Sequence, residues 1–200
     1  MITYERVLSY GNIFPLNISC DRSKLIQEIS GFDFAQYNTE KLAIPRLGLS
    51  VTSLDGNINS GDLESLKGTK YRESSFNTLT QVYHSSAEVQ KLVDPFKQWI
   101  GRTHILNIRK GGYFPPHRDE MSIEQHTYRI IVPLRSFNPP HSYLIYDDTV
   151  THMNEGQAYF MNTNIVHSTM SFSNDMLVMV MNVVCCDESY TKLMLSVHDL

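Results

Sequence analysis

From about residue 104 onward the chain repeats one pattern: short runs of β-branched and aromatic residues divided by Pro, Asn, Asp and Gly. The runs are HILNI, YRIIVPL, SYLIY, QAYFMN and MLVMVMNVV. Each has strand length and a composition that suits a pleated, buried surface. Strands at such short intervals, with turn residues between them, predict a β-sandwich or jelly roll. The first half reads differently. Asp21 or Ser23 is placed to cap a helix through Leu25, Ile26 and Ile29 that stops near Gly31. PRLGLSVT, residues 45–52, reads as a strand, and residues 55–75, rich in Gly, Asn, Ser and Asp, as a long polar loop. In residues 86–100, Val89, Leu92, Val93, Phe96 and Ile100 recur at helical spacing, with a break or restart at Pro95. The expected fold class is therefore mainly β with supporting helices (α+β), the N-terminal helices packing on one sheet.

Composition narrows the function classes. A chain of 200 residues suits one domain, expected as a support region over 1–100, a core over 101–184 and a tail over 185–200. Hydrophobic residues at 42% and charged residues at 19% argue against a disordered chain. A net charge of −4 without a Lys/Arg run argues against a general nucleic-acid or anionic-membrane binder. No apolar stretch reaches membrane-span length, and MITYERVLSYGNIFPLNIS lacks the layout of a signal peptide, so a cytoplasmic protein is expected. The three cysteines, Cys20, Cys185 and Cys186, are odd in number and lack CxxC spacing, which argues against a disulfide scaffold and a Cys zinc site. No GxGxxG after a strand, GxxxxGK[ST] or GxSxG occurs. Asp147-Asp148 looks like a strand-end turn rather than one half of a hydrolase pair.

The chemistry sits in NIRKGGYFPPHRDE, residues 107–120. His117 and Asp119 are two apart, so on an extended backbone both point to one face while Arg118 points away. A second histidine, His167, comes fifty residues later in GQAYFMNTNIVHSTMS, far enough for a β-sandwich to bring the two ends together. Two histidines and one carboxylate on one face of a metal leave positions open opposite, the facial triad of non-haem Fe(II) oxygenases. The dyad alone is weak evidence. With 8 His in the chain, composition gives roughly 0.4 His-x-Asp occurrences by chance, and a surface strand with two polar residues looks the same.

These segments resemble the 2-oxoglutarate/Fe(II)-dependent oxygenase superfamily, with its double-stranded β-helix (jelly-roll, cupin-like) core. GGYFPPHRD resembles the segment that ends on the superfamily's His-x-Asp pair, and GQAYFMNTNIVHS the segment before its second histidine. YRIIVPL after the dyad is similar to the aspartyl/asparaginyl β-hydroxylase-like or prolyl-hydroxylase-like branch. The resemblance covers about residues 101–184. It implies that His117, Asp119 and His167 hold Fe(II), that 2-oxoglutarate is the cosubstrate with O2, and that an unactivated C–H bond is hydroxylated with release of succinate and CO2. It also implies a basic residue for the far carboxylate of 2-oxoglutarate, often about ten residues after the second histidine. Residues 171–181 contain no Lys or Arg. Arg129, a lone cation in an apolar strand, takes the role instead, unless it faces solvent or a structural ion pair.

Further cofactor-binding candidates are Asn107, Tyr113 and Ser171, with Arg109, Tyr128, Asn162 and Ser173 behind them. Ile131, Ile145 and Phe160 are expected to line the pocket. Trp99 is expected as a core anchor, and His84, His104, His126, His141, His152 and His198 as surface or supporting residues. The expected partner is a small molecule or a protein side chain, with no nucleic acid and no membrane. The oligomeric state is not legible. The rival readings are a cupin-like metal enzyme that does not use 2-oxoglutarate, and a non-catalytic jelly-roll binding module.

Overall fold

In the computed structural model, residues 3–37, 44–58, 71–119 and 126–197 are described. Helix α1 (Tyr4–Leu8) is followed by β1 (Ile13–Ser19), α2 (Arg22–Ile29), β2 (Ala35–Gln36), β3 (Arg46–Ser50) and β4 (Thr52–Ser53). Then come β5 (Thr78–Leu79), α3 (Gln81–Ser85), α4 (Ala87–Val93) and a 3-10 segment over Asp94–Trp99. The second half is β6 (Ile100–Ile108), β7 (Tyr113–His117), β8 (Thr127–Arg135), β9 (Ser142–Tyr146), β10 (Thr149–Thr151), β11 (Gln157–Met161), β12 (His167–Ser171) and β13 (Met176–Val184). Helix α5 (Asp187–Met194) comes last. All five runs expected as strands are strands. The capping role of Asp21 also holds: its carboxylate accepts from the backbone N–H groups of Ser23 and Lys24.

The strands form a seven-stranded antiparallel sheet, β1-β11-β8-β13-β6-β3-β2, and a four-stranded one, β10-β9-β12-β7, with β4 and β5 as a separate pair. The large sheet is apolar on both faces. Ile105, Ile130, Val132, Met179 and Met181 point to the helix side, where Leu25, Ile29, Val89, Leu92 and Phe96 cover them. Leu106, Ile131, Val178 and Val180 point to the other side, toward Leu144 and Tyr146 of the small sheet. Burial on both faces is why MLVMVMNVV is an unbroken apolar run rather than an alternating one. The two sheets make a jelly-roll core with helices packed on one sheet. Among the described residues no helix is long and apolar enough to cross a membrane.

Both ends of the chain contribute to the core. Residues 1–100 do more than support the core: β1, β2 and β3 extend the large sheet at both edges. In β1, Phe14, Leu16 and Ile18 are buried and alternate with outward residues, and Pro15 is tolerated because β1 is an edge strand. The stretch after 184 is also more than a tail, because Tyr190 and Leu193 of α5 join the helix-side core. Of the polar loop expected at 55–75, residues 59–70 lie outside the described residues, as does His198.

Gly111 and Gly112 carry the chain from the large sheet into the small one. Gly111 has a φ of +82°, which a side chain rarely adopts. A Cβ on Gly112 would lie 2.8 Å from the Pro45 carbonyl oxygen, so the turn closes only with glycine there. This turn aims β7, and the dyad at its end, along the inner face of the small sheet.

Candidate metal centre

His117 is the last residue of β7 and His167 the first of β12. The two strands are antiparallel neighbours, and the residues are direct cross-strand partners. Such partners have close Cβ atoms, and here the imidazole centroids lie 4.3 Å apart. Asp119 follows two residues on, its backbone N–H donating to the Thr163 carbonyl at 2.9 Å. Ligand atoms of His117, Asp119 and His167 all fall within 4.8 Å of one another. The sequence separation of fifty residues is closed by one strand pairing.

The hydrogen bonds around the rings set their chemistry. Nδ1 of His117 donates to the Pro115 carbonyl at 2.7 Å, and Nδ1 of His167 to the Ile165 carbonyl at 2.9 Å. A carbonyl only accepts, so each Nδ1 carries the proton and each Nε2 offers a lone pair inward. Nε2 of His117 lies 3.2 Å from Oδ1 of Asp119. Two lone pairs and an anionic oxygen pointed at one another repel unless a cation or proton stands between them. The donor set therefore fits a divalent metal ion, with two neutral nitrogens and one carboxylate oxygen.

The electrostatics agree. The Asp119 carboxylate would accept a hydrogen bond from a protonated Nε2 of His117 and so raises the pKa of that ring above the usual histidine value, while burial lowers that of His167. Burial works against the Asp119 carboxylate, but the Arg129 guanidinium and the two imidazoles more than offset it and hold the carboxyl well below the usual range. Arg129 donates through Nη1 to Oδ2 of Asp119, and through Nε and Nη2 to Oδ1 of Asn182 at 3.2 and 3.1 Å. Asn182 in turn donates to Oε2 of Glu73 at 3.1 Å, and Glu73 lies 2.9 Å from Nε of Arg102. A buried chain of polar groups thus runs from the large sheet to the second oxygen of Asp119 and leaves its first oxygen facing the histidines.

The triad stands on a cavity of about 460 Å3 between the two sheets. Its walls include Leu106, Ile108, Ile131, Leu144, Met161 and Val178, and Arg118 sits exposed at its edge. Ile131 is placed as expected. Ile145 is not, because Leu144 and Tyr146 are the residues of β9 that point inward. Phe160 lies on the opposite face of the large sheet, stacked on Phe14 at 4.8 Å.

Three expected cofactor contacts also fall elsewhere. Asn107 is on the helix-side face of β6, whose residues 102, 104, 106 and 108 face the cavity. Tyr113 is exposed on the outer face of β7, beside Met170. Ser171 is buried, but its hydroxyl donates to the Ser173 carbonyl at 2.9 Å and does not reach the cavity. Ser173 is bound to Asp175, Arg109 is exposed, and the Tyr128 hydroxyl donates to the Ser189 carbonyl within the core. Asn162 makes a turn, its side chain accepting from the Asn164 N–H at 3.2 Å. Trp99 packs against the helix-side core.

The cavity also holds residues that the sequence did not place there: Tyr37, Arg46, Glu73, Arg102 and His104. Of the two places expected for His104, surface or supporting, it takes the buried, supporting one. The signal for Arg102 and His104 was their spacing of two in a strand. It went unused because nearly all of β6 is buried on both faces and no alternation marks the inner one.

No family model matches the sequence, and no curated protein sequence matches it. Among solved structures the chain is similar to HygX from Streptomyces hygroscopicus, determined with nickel and 2-oxoglutarate bound. The TM-score is 0.53 and the identity 10%, over 91% of this chain and 87% of that one. An oxidoreductase of the 2OG-Fe(II) oxygenase family from Burkholderia pseudomallei gives a TM-score of 0.47 at 11% identity, over 80% of this chain and 76% of that one. KdgF from a Halomonas species gives 0.32 at 14%, over 44% of this chain and 78% of that one. At 10% identity the likeness to HygX is one of fold, and it extends over nearly the whole of both chains.

Proposed function

We propose that this chain is an Fe(II)- and 2-oxoglutarate-dependent dioxygenase that hydroxylates an unactivated C–H bond of a small metabolite or a protein side chain. The observation that carries the proposal is the convergence of two Nδ1-anchored imidazoles and one Arg-paired carboxylate at a largely apolar cavity. That donor set leaves open positions toward the cavity, as O2-activating iron sites require. The fold neighbour HygX, which binds nickel and 2-oxoglutarate, supports the same reading.

Fe(II) held by His117, Asp119 and His167 would supply, with 2-oxoglutarate and O2, the oxidation of the C–H bond and the release of succinate and CO2. The chain's own residues do the rest. The Pro115 and Ile165 carbonyls fix both ring tautomers, so neither ligand has to lose a proton from the nitrogen that binds. Arg129 occupies the second oxygen of Asp119 and limits that carboxylate to one donor atom. The apolar walls exclude water from the reacting region.

A second reading, a cupin-like metal enzyme without 2-oxoglutarate, draws on the absence of any Lys or Arg from residues 171–181. One assay separates the two: succinate release from 2-oxoglutarate by the Fe(II)-loaded protein in air, with His167→Ala as control. Succinate formed by the wild type and lost in the variant supports the proposal. No succinate from a protein that has bound iron supports the cupin-like reading.

A further inference from the structure

We propose that Asn182 is a positioning residue of the metal centre. Held from behind by Glu73 and the Arg102 carbonyl, it fixes the Arg129 guanidinium and so makes Asp119 present one carboxylate oxygen to the two histidines. This inference rests on the reading of His117, Asp119 and His167 as a metal site, and does not depend on 2-oxoglutarate.

Asn182 is the one polar residue in the nine of β13, MLVMVMNVV, and it is fully buried. A buried amide in an apolar strand is costly unless its donors and its acceptor are engaged. The local structure supplies the partners. On one side β13 pairs with β8, and Asn182 stands directly opposite Arg129. On the other side the pairing with β6 slips. Met181 faces Thr103 but Val183 faces Ile100, so Gly101 and Arg102 share the place opposite Asn182. Such a bulge disrupts the ladder locally and re-aims side chains. Here the Arg102 carbonyl accepts from the Asn182 side chain. Gly101 lets the 3-10 turn Glu73–Ser75 approach, since a Cβ there would lie 2.9 Å from the Glu73 carbonyl oxygen. The Glu73 carboxylate thereby reaches the same amide from the first half of the chain.

These partners admit one orientation of the amide. Nδ2 donates to the Arg102 carbonyl at 2.8 Å and to Oε2 of Glu73 at 3.1 Å. A carbonyl and an arginine-paired carboxylate only accept, so the reversed amide would set its oxygen against both. Oδ1 therefore faces Arg129, which only donates, and takes Nε and Nη2 together. With that edge of the guanidinium held, Nη1 is aimed at Oδ2 of Asp119. Glu73 is 5% exposed and Asn182 0%, so water is a poor substitute at either link. The orientation of the metal-site carboxylate is thus set from Glu73 through Asn182 and Arg129.

A double-mutant cycle on metal affinity separates action through Arg129 from packing. Asn182→Leu keeps the shape and the neutral charge and removes both ends of the amide. Its Mn(II) affinity, measured by calorimetry, is expected to fall roughly 10-fold, the lower end of the range for groups that orient metal ligands. The electron paramagnetic resonance spectrum of bound Mn(II), which reports the arrangement of ligands, is expected to change as well, because Asp119 is then free to offer both oxygens. In an Arg129→Met background the same substitution should change neither, since the residue it acts through is gone. Asn182→Thr keeps one hydroxyl and suits a strand. It should give a smaller loss in the same direction, and it replaces Asn182→Leu if that variant fails to fold.

An asparagine that served the fold alone would lower the melting temperature of the metal-free protein and leave Mn(II) affinity and spectrum unchanged. That result overturns this inference, as does an undiminished effect of Asn182→Leu when Arg129 is already replaced. Failure of the wild type to bind Mn(II) overturns the metal-site reading, and this inference with it.

Discussion

Arg129→Met offers a sharp test of the polar chain behind the metal site. The change keeps much of the side chain's length and removes the guanidinium. It leaves Oδ2 of Asp119 and Oδ1 of Asn182 without the donors they now have. The two charged side chains are 16% and 17% exposed, so water replaces the lost contacts poorly. Breaking a buried pair by removing one partner destabilises by about 3–5 kcal/mol. The lower end applies at a cavity edge, so about 3 kcal/mol is expected, or roughly 6–12 °C in melting temperature for a chain of this size. Asp119→Asn added to Arg129→Met should recover much of that loss, because the carboxylate that lost its guanidinium partner is then replaced by a neutral amide.

The pH dependence has a definite sign. In the wild type the carboxyl pKa of Asp119 is depressed, so its contribution is present above the ordinary carboxylate pKa and is lost as pH falls through the folded value. In the variant the Arg129 contribution is lost and only the two imidazoles oppose burial, so that pKa rises from its wild-type value. The gap between the two proteins should be wide at pH 7 and narrow toward pH 4. Denaturation of ligand-free protein followed by circular dichroism measures all of this. A double variant no more stable than the single one, or a loss under about 1 kcal/mol, would refute the reasoning. An Arg129 that served only to hold 2-oxoglutarate would scarcely affect the ligand-free protein.

Other outcomes follow from the same geometry. His117→Ala and His167→Ala should each abolish stoichiometric Mn(II) binding, seen by electron paramagnetic resonance, with the far-ultraviolet dichroism spectrum retained. Metal affinity should rise with pH across the range just above the usual histidine pKa, because Asp119 raises the pKa of His117 and a proton there competes with the ion; calorimetric affinities that are flat from pH 6 to 8 would contradict this. Asn107→Leu should leave 2-oxoglutarate binding unchanged and stability equal or better, since the side chain faces away from the cavity and its buried Oδ1 has no partner among the described residues. Phe160→Ala should cost about 3–5 kcal/mol in thermal denaturation, because Phe160 is fully buried and stacked on Phe14.

What could be read from the sequence, and what could not, divides along physical lines. Five strands of the second half, β6, β8, β9, β11 and β13, were legible because apolar runs between turn residues are local signals, whereas β7, β10 and β12 carry no such run. His117, Asp119 and His167 were legible by type and spacing, although their convergence depends on the pairing of β7 with β12, which no local pattern reports. β1 was missed because Pro15 and the neighbouring polar residues mask the alternation of Phe14, Leu16 and Ile18. Asn107 was placed in the cavity because both faces of β6 are buried, so the sequence does not tell odd positions from even. Tyr113 and Ser171 were chosen for nearness to the motifs along the chain, whereas the cavity is bounded by nearness in space. Tyr37, Arg46 and Glu73 enter it through long-range contacts from the first half.

The most direct test of the central claim is anaerobic titration of Fe(II)-loaded protein with 2-oxoglutarate, following the weak visible charge-transfer band that chelation of a 2-oxo acid to ferrous iron produces. The account predicts that the band appears and saturates at one equivalent, and that it is absent in His117→Ala and His167→Ala. Iron bound without any band would contradict it.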